Sequence, residues 1–350
     1  MPTNDEESTT PWALTAAAKP TSPVTEPLPK RIIITVADQI YIDRTALPAS
    51  MVTRLAAFQN PEFYQAQAMR FPTFDKPRVI SCAALHPHHL ELPRGCLDDA
   101  RDLLASNGVE IDLSDERQPG DRLGVKFIGT LRSDQQHAAD LLLAHDCGVL
   151  AATTAFGKTV LAIALIAARG RNALILVHRQ QLLDQWVEQL RAFLDVSPDA
   201  IGMMGGGKKR RTGKVDVALI QSLLHKHEVD DRVTTYGHVI IDECHHVSAT
   251  SFEAVTKRVR ASYVLGLSAT VTRKDGHQPI VFTQCGPVRY RVTARAQLAR
   301  AAAYTAPSNA KRDLLRVNCL SHGCQLPLYT VRCPNPKPAT LGFLTTFCRL

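Results

Sequence analysis

Two strings in this 350-residue chain have the residue types and order for phosphate chemistry: Gly157-Lys158-Thr159, and farther along Asp242-Glu243-Cys244-His245. A phosphate-binding loop needs small residues, so that backbone N–H groups can wrap the phosphates. It also needs a lysine for the β- and γ-phosphates and a hydroxyl for Mg²⁺. Here the loop reads Ala152-Thr153-Thr154-Ala155-Phe156-Gly157-Lys158-Thr159, with Ala152 where a leading glycine is usual. Asp242 closes the apolar run Val239-Ile240-Ile241, so its carboxylate falls at the carboxyl edge of a sheet, where such folds bind ligands. Asp242 can position Mg²⁺, and Glu243 can orient and deprotonate an attacking water. Positioning and charge neutralisation do most of the work in phosphoryl transfer. A lone Gly-Lys-Thr turn or a solvent-facing acid pair would mean little. Their order in one chain points to hydrolysis of ATP with Mg²⁺. Zinc at Cys244-His245-His246 is rejected, because adjacent side chains splay and no second ligand pair follows at zinc spacing.

These residues need a scaffold. From Leu131 the pattern alternates strands and helices, which predicts an α/β fold: a parallel sheet with helices on both faces. The expected strands are Gly148–Ala152, Ala173–Val177, Val215–Leu219, His238–Ile241, Tyr263–Leu267 and Val288–Val292. The helix Thr159–Ala168 follows the loop and brings the positive end of its dipole to the phosphates. Gln180–Leu194 places Leu183, Trp186, Val187, Leu190 and Leu194 on one helical face. Thr250 and Glu253 form a capping-box pattern for a helix running to Val259. Before this unit, Arg31–Thr35, Ile40–Ile42, Arg78–Cys82, Val109–Leu113 and Leu123–Phe127 read as strands. Asn60-Pro61-Glu62 is a helix start, and Leu97–Ser106 is a helix closed by Gly108. The expected organisation is a disordered tail (1–30), a small α+β accessory domain (31–128), the nucleotide-binding domain (129–295) and an irregular tail (296–350). The abrupt change of composition after residue 295 suggests a truncation or frameshift.

Bulk properties narrow the partners. The net charge of +8 and a pI near 9.1 favour a polyanion. Nine cysteines without a dense secreted pattern, and no leader at the start, predict a reducing, cytoplasmic setting. The most apolar window, Gly148–Ala168, contains Lys158 and several hydroxyls, so no membrane span is expected.

Six segments in this order resemble the motifs of superfamily 2 helicases, and within them the XPB-like and restriction-type branch. Leu131-Arg132-x-x-Gln135 is similar to the adenine-reading segment, and Ala152 to Thr159 to motif I. Leu176-Val177-His178-Arg179 through Gln185-Trp186 resembles motif Ia, and Val217 to Leu223, with Gln221-Ser222, the next DNA-side motif. Asp242-Glu243-Cys244-His245 resembles motif II and Ser268-Ala269-Thr270 motif III. Arg273-Lys274-Asp275 is similar to the Arg-Glu-Asp element of XPB-like proteins, with Lys274 at the glutamate position. Leu92-Pro93-Arg94-Gly95 and its surroundings resemble the small DNA-sensing domain that precedes the motor.

The resemblance implies a RecA-like lobe and an ATP-dependent helicase or translocase acting on double- or single-stranded DNA. By it, Gln135 with Arg132 reads adenine, and Lys158 and the amides of 152–157 hold phosphates. Thr159 and Asp242 hold Mg²⁺, and Glu243 is the general base. His245, Ser268 and Thr270 couple nucleotide state to the DNA side, while Arg179, Gln221, Ser222 and Arg273 face nucleic acid. Such motors close their ATP site with a second RecA-like lobe. The residues after Val292 are too few for one, and they hold no Gln-x-x-Gly-Arg-x-x-Arg string. A second lobe or partner subunit is therefore expected from elsewhere. The competing class is a non-motor module that binds ATP or DNA with little turnover. A P-loop kinase is disfavoured by the Asp-Glu-Cys-His and Ser-Ala-Thr strings.

Three further groups are ambiguous from sequence. Lys208-Lys209-Arg210-Arg211 with Lys214, after Gly205-Gly206-Gly207, reads either as a flexible phosphate-tracking loop or as a solvated surface loop. His86, His88 and His89 favour a polar loop over a metal site. Cys319, His322, Cys324 and Cys333 have zinc-knuckle spacing without a regular second pair, which favours free thiols.

Overall fold

In the computed structural model, residues 28–225, 228–246, 250–270, 276 and 278–292 are described. They fall within one compact unit. The zinc-spaced Cys319–Cys333 group and Arg273 lie outside the described residues.

A small sheet comes first in the chain. Its strands are β1 (Arg31–Val36), β2 (Ile40–Asp43), β3 (Ala84–Leu85), β4 (His89–Leu92) and β5 (Glu110–Asp115), in the order β3-β4-β2-β1-β5. β1 alternates exposed and buried positions, so Ile32, Ile34 and Val36 enter a core with Ile40, Ile42, Leu90 and Leu92. β5 lies parallel to β1, and the return crossover includes helix α1 (Leu97–Ser106). Asn60 caps the helix Pro61–Ala68, its side-chain oxygen accepting the Glu62 N–H at 3.1 Å. Of the stretch Leu123–Phe127, only Lys126–Phe127 is strand, paired with Leu194–Asp195 rather than with the small sheet.

The second layer is an eight-stranded sheet. Its strands are β6 (Cys147–Ala151), β7 (Ala173–Val177), β8 (Ile201–Gly205), β9 (Lys208–Arg210), β10 (Val215–Leu219), β11 (His238–Ile241), β12 (Tyr263–Ser268) and β13 (Val288–Arg291). They run in the order β9-β8-β10-β7-β11-β12-β6-β13, all parallel except the edge strand β9. β7 is buried at every position, as a strand covered on both faces must be. The alternation of side chains divides the core in two. Leu150, Ile175, Val217 and Ile240 pack with Leu161, Leu165 and Trp186 from helices α3 (Lys158–Arg169) and α4 (Gln180–Phe193). Helix α2 (Ser133–Leu143) adds Ala138 and Leu142 to that face. On the opposite face Leu174, Leu176, Val239 and Ile241 pack with Phe252 and Val255 of α5 (Thr250–Arg258) and Val281 and Cys285 of α6 (Gln278–Cys285). Helices therefore cover both faces of an α/β sheet.

The Lys208–Arg211 run is not a free loop. Lys208–Arg210 forms β9, hydrogen-bonded to β8 through Met203↔Arg210 and Gly205↔Lys208. The Arg210 guanidinium donates to the Pro198 and Ile201 carbonyls, and Arg211 to Tyr236 Oη and Thr235 Oγ1. His86 pairs with Glu91 at 2.8 Å and stacks on His89. No helix among the described residues is long and apolar enough to cross a membrane.

The small sheet is locked to the large one at Leu92-Pro93-Arg94-Gly95. Arg94 is buried, and its guanidinium donates to the carbonyls of Asp38, Val259 and Ala261. Arg289 on β13 reaches Asp98 on α1.

Candidate functional site

β6 runs directly into the phosphate-loop segment, and parallel strand order brings the other candidate residues to the same carboxyl edge. Ala152 is fully buried, and its N–H donates to the Ser268 carbonyl at 2.9 Å, tying the start of the loop to the end of β12. Thr154–Phe156 forms one 3₁₀ turn. Gly157 follows with φ of +81°, a conformation that costs a side chain roughly 1–2 kcal/mol. A Cβ there would also stand 2.7 Å from Gln135 Nε2. Lys158 and Thr159 open α3.

Arg132 and Gln135 converge on this loop. Arg132 Nη2 and Gln135 Nε2 both donate to the Phe156 carbonyl, at 2.8 and 2.9 Å. The Gln135 carbonyl oxygen in turn accepts the Arg132 N–H, which leaves the amide firmly oriented. Both residues therefore sit against the loop, with the Gln135 amide bonded to protein partners at both ends.

Opposite them, Lys158 Nζ lies 3.0 Å from Glu243 Oε1, with side-chain exposures of 7% and 19%. Glu243 has φ of +47°, the left-handed region, which turns its carboxylate off the line of β11. Its other oxygen accepts the Ala269 N–H at 3.4 Å and lies 3.1 Å from His245 Nδ1. The same His245 nitrogen is 2.8 Å from Ser268 Oγ, which meets the Thr270 backbone. A continuous polar chain thus runs Lys158–Glu243–His245–Ser268–Thr270.

Asp242 is 7% exposed. Its Oδ2 accepts Trp186 Nε1–H at 2.7 Å, and its Oδ1 accepts the Glu243 N–H at 2.9 Å. Burial raises its pKa above the ordinary carboxylate value, and the Trp186 bond acts the other way. In the sequence Trp186 stood on an apolar helix face and at the end of the motif Ia-like segment, with no sign of its acceptor in that segment. The available signal was chemical: a buried indole N–H must find an acceptor, and the neighbouring strand ends in a carboxylate. A buried acid destabilised by desolvation is a natural ligand for a hard cation, which takes oxygen ligands. Asp242 and the Thr159 hydroxyl have the donor types Mg²⁺ requires.

Trp186→Phe removes the one side-chain donor to Asp242 among the described residues. The Asp242 pKa then rises further, and the acid limb of any Mg²⁺-dependent turnover should move to higher pH. A pH–rate profile of the variant checks this, and an unmoved limb refutes the role.

Arg179 and Gln221 are exposed and lie two residues beyond Val177 and Leu219, the paired last residues of β7 and β10. They share the site's edge without touching the Lys158–Thr270 chain. Ser222 turns its hydroxyl toward the Met204 and Leu219 carbonyls, closing a 3₁₀ turn rather than facing outward.

Residues 128–273 match the family model described as "Type III restriction enzyme, res subunit". The chain is 33% identical over 175 residues to a putative DNA 3'-5' helicase Rad25 of Halobacterium salinarum, covering 48% of this chain and 28% of that protein. It is 31% identical over 166 residues to the DNA 3'-5' helicase XPB of Mycobacterium tuberculosis, covering 46% of this chain and 30% of that one. The chain therefore spans less than a third of the length of these two relatives. The crystal structure of the UvsW helicase from bacteriophage T4 superposes with a TM-score of 0.55 at 16% identity, covering 74% of this chain and 99% of that one. That likeness is one of fold.

Proposed function

We propose that this chain, whose residues 128–273 belong to the XPB-like and restriction-type branch of the superfamily 2 helicases, is the ATP-binding and ATP-hydrolysing lobe of a DNA helicase or translocase. The observation that carries the reading is the convergence of Lys158, Asp242 and Glu243 at one sheet edge, with Glu243 continuing into His245 and Ser268. In this proposal residues 129–295 are the nucleotide-binding domain and 31–128 the accessory, DNA-sensing domain, in a cytoplasmic protein.

ATP is the substrate. Its phosphates would lie across the amides of 152–157, at the positive end of α3. Lys158 would leave Glu243 for the β- and γ-phosphates. That frees the Glu243 carboxylate to orient water and take its proton. Thr159 and Asp242 would hold Mg²⁺, which when bound would supply charge neutralisation on the phosphates. Arg132 and Gln135 would orient the adenine. Loss of the Glu243–Lys158 contact would reach His245, Ser268 and Thr270, and through them the edge carrying Arg179 and Gln221. A second RecA-like lobe or partner subunit would supply arginine to the γ-phosphate, a contribution of about three to five orders of magnitude in such enzymes.

The test is ATP hydrolysis with and without duplex and single-stranded DNA, with Lys158→Ala as the control. DNA-stimulated turnover that Lys158→Ala abolishes is expected. ATP binding without turnover, in the presence of DNA, would instead leave the chain as a non-motor ATP- and DNA-binding module.

A further inference from the structure

A second cleft lies at the opposite edge of the large sheet. It is bounded by Asp146 and Cys147 at the start of β6, and by Gly286 and Pro287 before β13. The small sheet's α1 region closes its other side. With β6 five residues long, at about 3.3 Å per residue, the cleft is on the order of 16 Å from the phosphate loop. Its volume is about 150 Å³.

Its lining is rich in guanidinium groups: Arg94, Arg101, Arg117 and Arg289, with Asp98 and Asp146. Two of the four arginines are compensated. Arg117 is held by Asp115 and Asp146, and Arg289 by Asp98. The other two meet no carboxylate among the described residues. Arg94 spends its donors on three backbone carbonyls, and its Nε, fully enclosed, has no acceptor. Arg101 is exposed and makes no hydrogen bond or ion pair among the described residues. Burial lowers the Arg94 pKa from its ordinary value, yet a guanidinium stays charged in proteins. The Asp38 carboxylate offsets part of this burial cost without forming an ion pair with Arg94, and the adjoining cleft has room for a closer anion.

We propose that this cleft binds a phosphate group, with Arg101 as the outer ligand and Arg94 supplying the charge behind it. Planar guanidinium forks suit tetrahedral oxyanions, and the volume fits one phosphoryl group with a few waters. Arg94 and Arg101 belong to the small-sheet side, and Arg289 to the large sheet. A bound phosphate therefore adds an electrostatic tie between the two layers. The source is a nucleic-acid backbone or a free phosphate, and the two are separable by experiment. Binding here does not depend on the ATPase reading.

Arg101→Glu is the informative variant, because an exposed helix side chain can be reversed without disturbing the core, whereas Arg94→Ala strips two buried carbonyls and one half-buried carbonyl of a donor. Both proteins carry Lys158→Ala, so that the ATP site does not report. Sodium phosphate, compared with sodium chloride at matched ionic strength, should raise Tm by about 2 °C in the parent and not in Arg101→Glu. In parallel, a labelled DNA duplex is titrated at several salt concentrations. If the source is DNA backbone, Arg101→Glu weakens binding about tenfold and reduces the salt slope by about one counter-ion. Arg54→Glu, an exposed charge outside the cleft, should do neither. A response to both ligands, or to DNA alone, assigns the site to a phosphodiester. A response to phosphate alone assigns it to a small anion. Equal behaviour of Arg101→Glu and Arg54→Glu with both ligands overturns the proposal.

Discussion

Glu243→Gln should lower ATP turnover by about three orders of magnitude, within the range by which positioned general bases accelerate reactions, while nucleotide affinity holds or rises a few-fold. The two effects have separate origins. Turnover falls because a carboxamide cannot accept the proton of the attacking water. Affinity is kept because Glu243 is the partner Lys158 must leave: their 3.0 Å ion pair occupies the lysine that the phosphates need. Removing the negative charge removes that competition. Glutamine also keeps the side chain's size at a position with φ of +47°, so no new backbone demand arises. Fluorescent-nucleotide titration and single-turnover hydrolysis, run on the same preparation, separate the two. Near-normal turnover would eliminate Glu243 as the base. Weakened binding would mean that the ion pair supports the loop rather than competing for it.

Gly95→Ala should cost about 3 kcal/mol of stability, the upper part of the usual overpacking range, and Gly108→Ala about 1 kcal/mol. A Cβ on Gly95 would stand 2.2 Å from the Phe282 carbonyl oxygen, 2.6 Å from that of Thr283 and 2.9 Å from Gly286 N. All three are backbone atoms at the end of α6, so no rotamer change relieves the clash. The small sheet must shift from α6, which strains the Arg94 bonds to Val259 and Ala261. At Gly108 the φ is +73° but nothing lies within 4 Å of the added carbon, so only the backbone penalty applies. Urea denaturation of the three proteins measures the difference. Equal losses at both positions would show that conformation, not the docking of the two sheets, sets the cost at Gly95.

The α/β architecture was readable wherever a strand is buried on both faces. Ala173–Val177 and Val239–Ile241 are continuous apolar runs because neither face meets water. Legibility failed at the sheet edge. Ile201–Gly205 contains two glycines and two methionines in place of a β-branched run, yet it is a full strand. Gly202 is there because the Asp216 carboxylate occupies the space of its missing side chain, 1.8 Å from where a Cβ would sit. That carboxylate accepts from Thr212 and Gly213 nearby and from Tyr236 twenty residues on, and only the packed strands bring it against Gly202. The basic run at Lys208–Arg210 looked like a loop for the same reason: the strand it pairs with was not visible.

By itself the sequence determined which residue types stand at the sheet edge. Residue types at strand ends and in a glycine-containing loop restrict what can bind, and periodicity places them on the same side of a parallel sheet. Only the tertiary structure decided how those groups are engaged. Lys158 meets Glu243, Asp242 meets Trp186, and Arg132 and Gln135 share the Phe156 carbonyl. It also decided that Arg94 and Arg101 stand beside one cleft and form no ion pair among the described residues. Each of these pairings joins residues far apart in the chain or on different elements. Hydrogen-bond geometry and burial, which select the partner, exist only once the layers have packed.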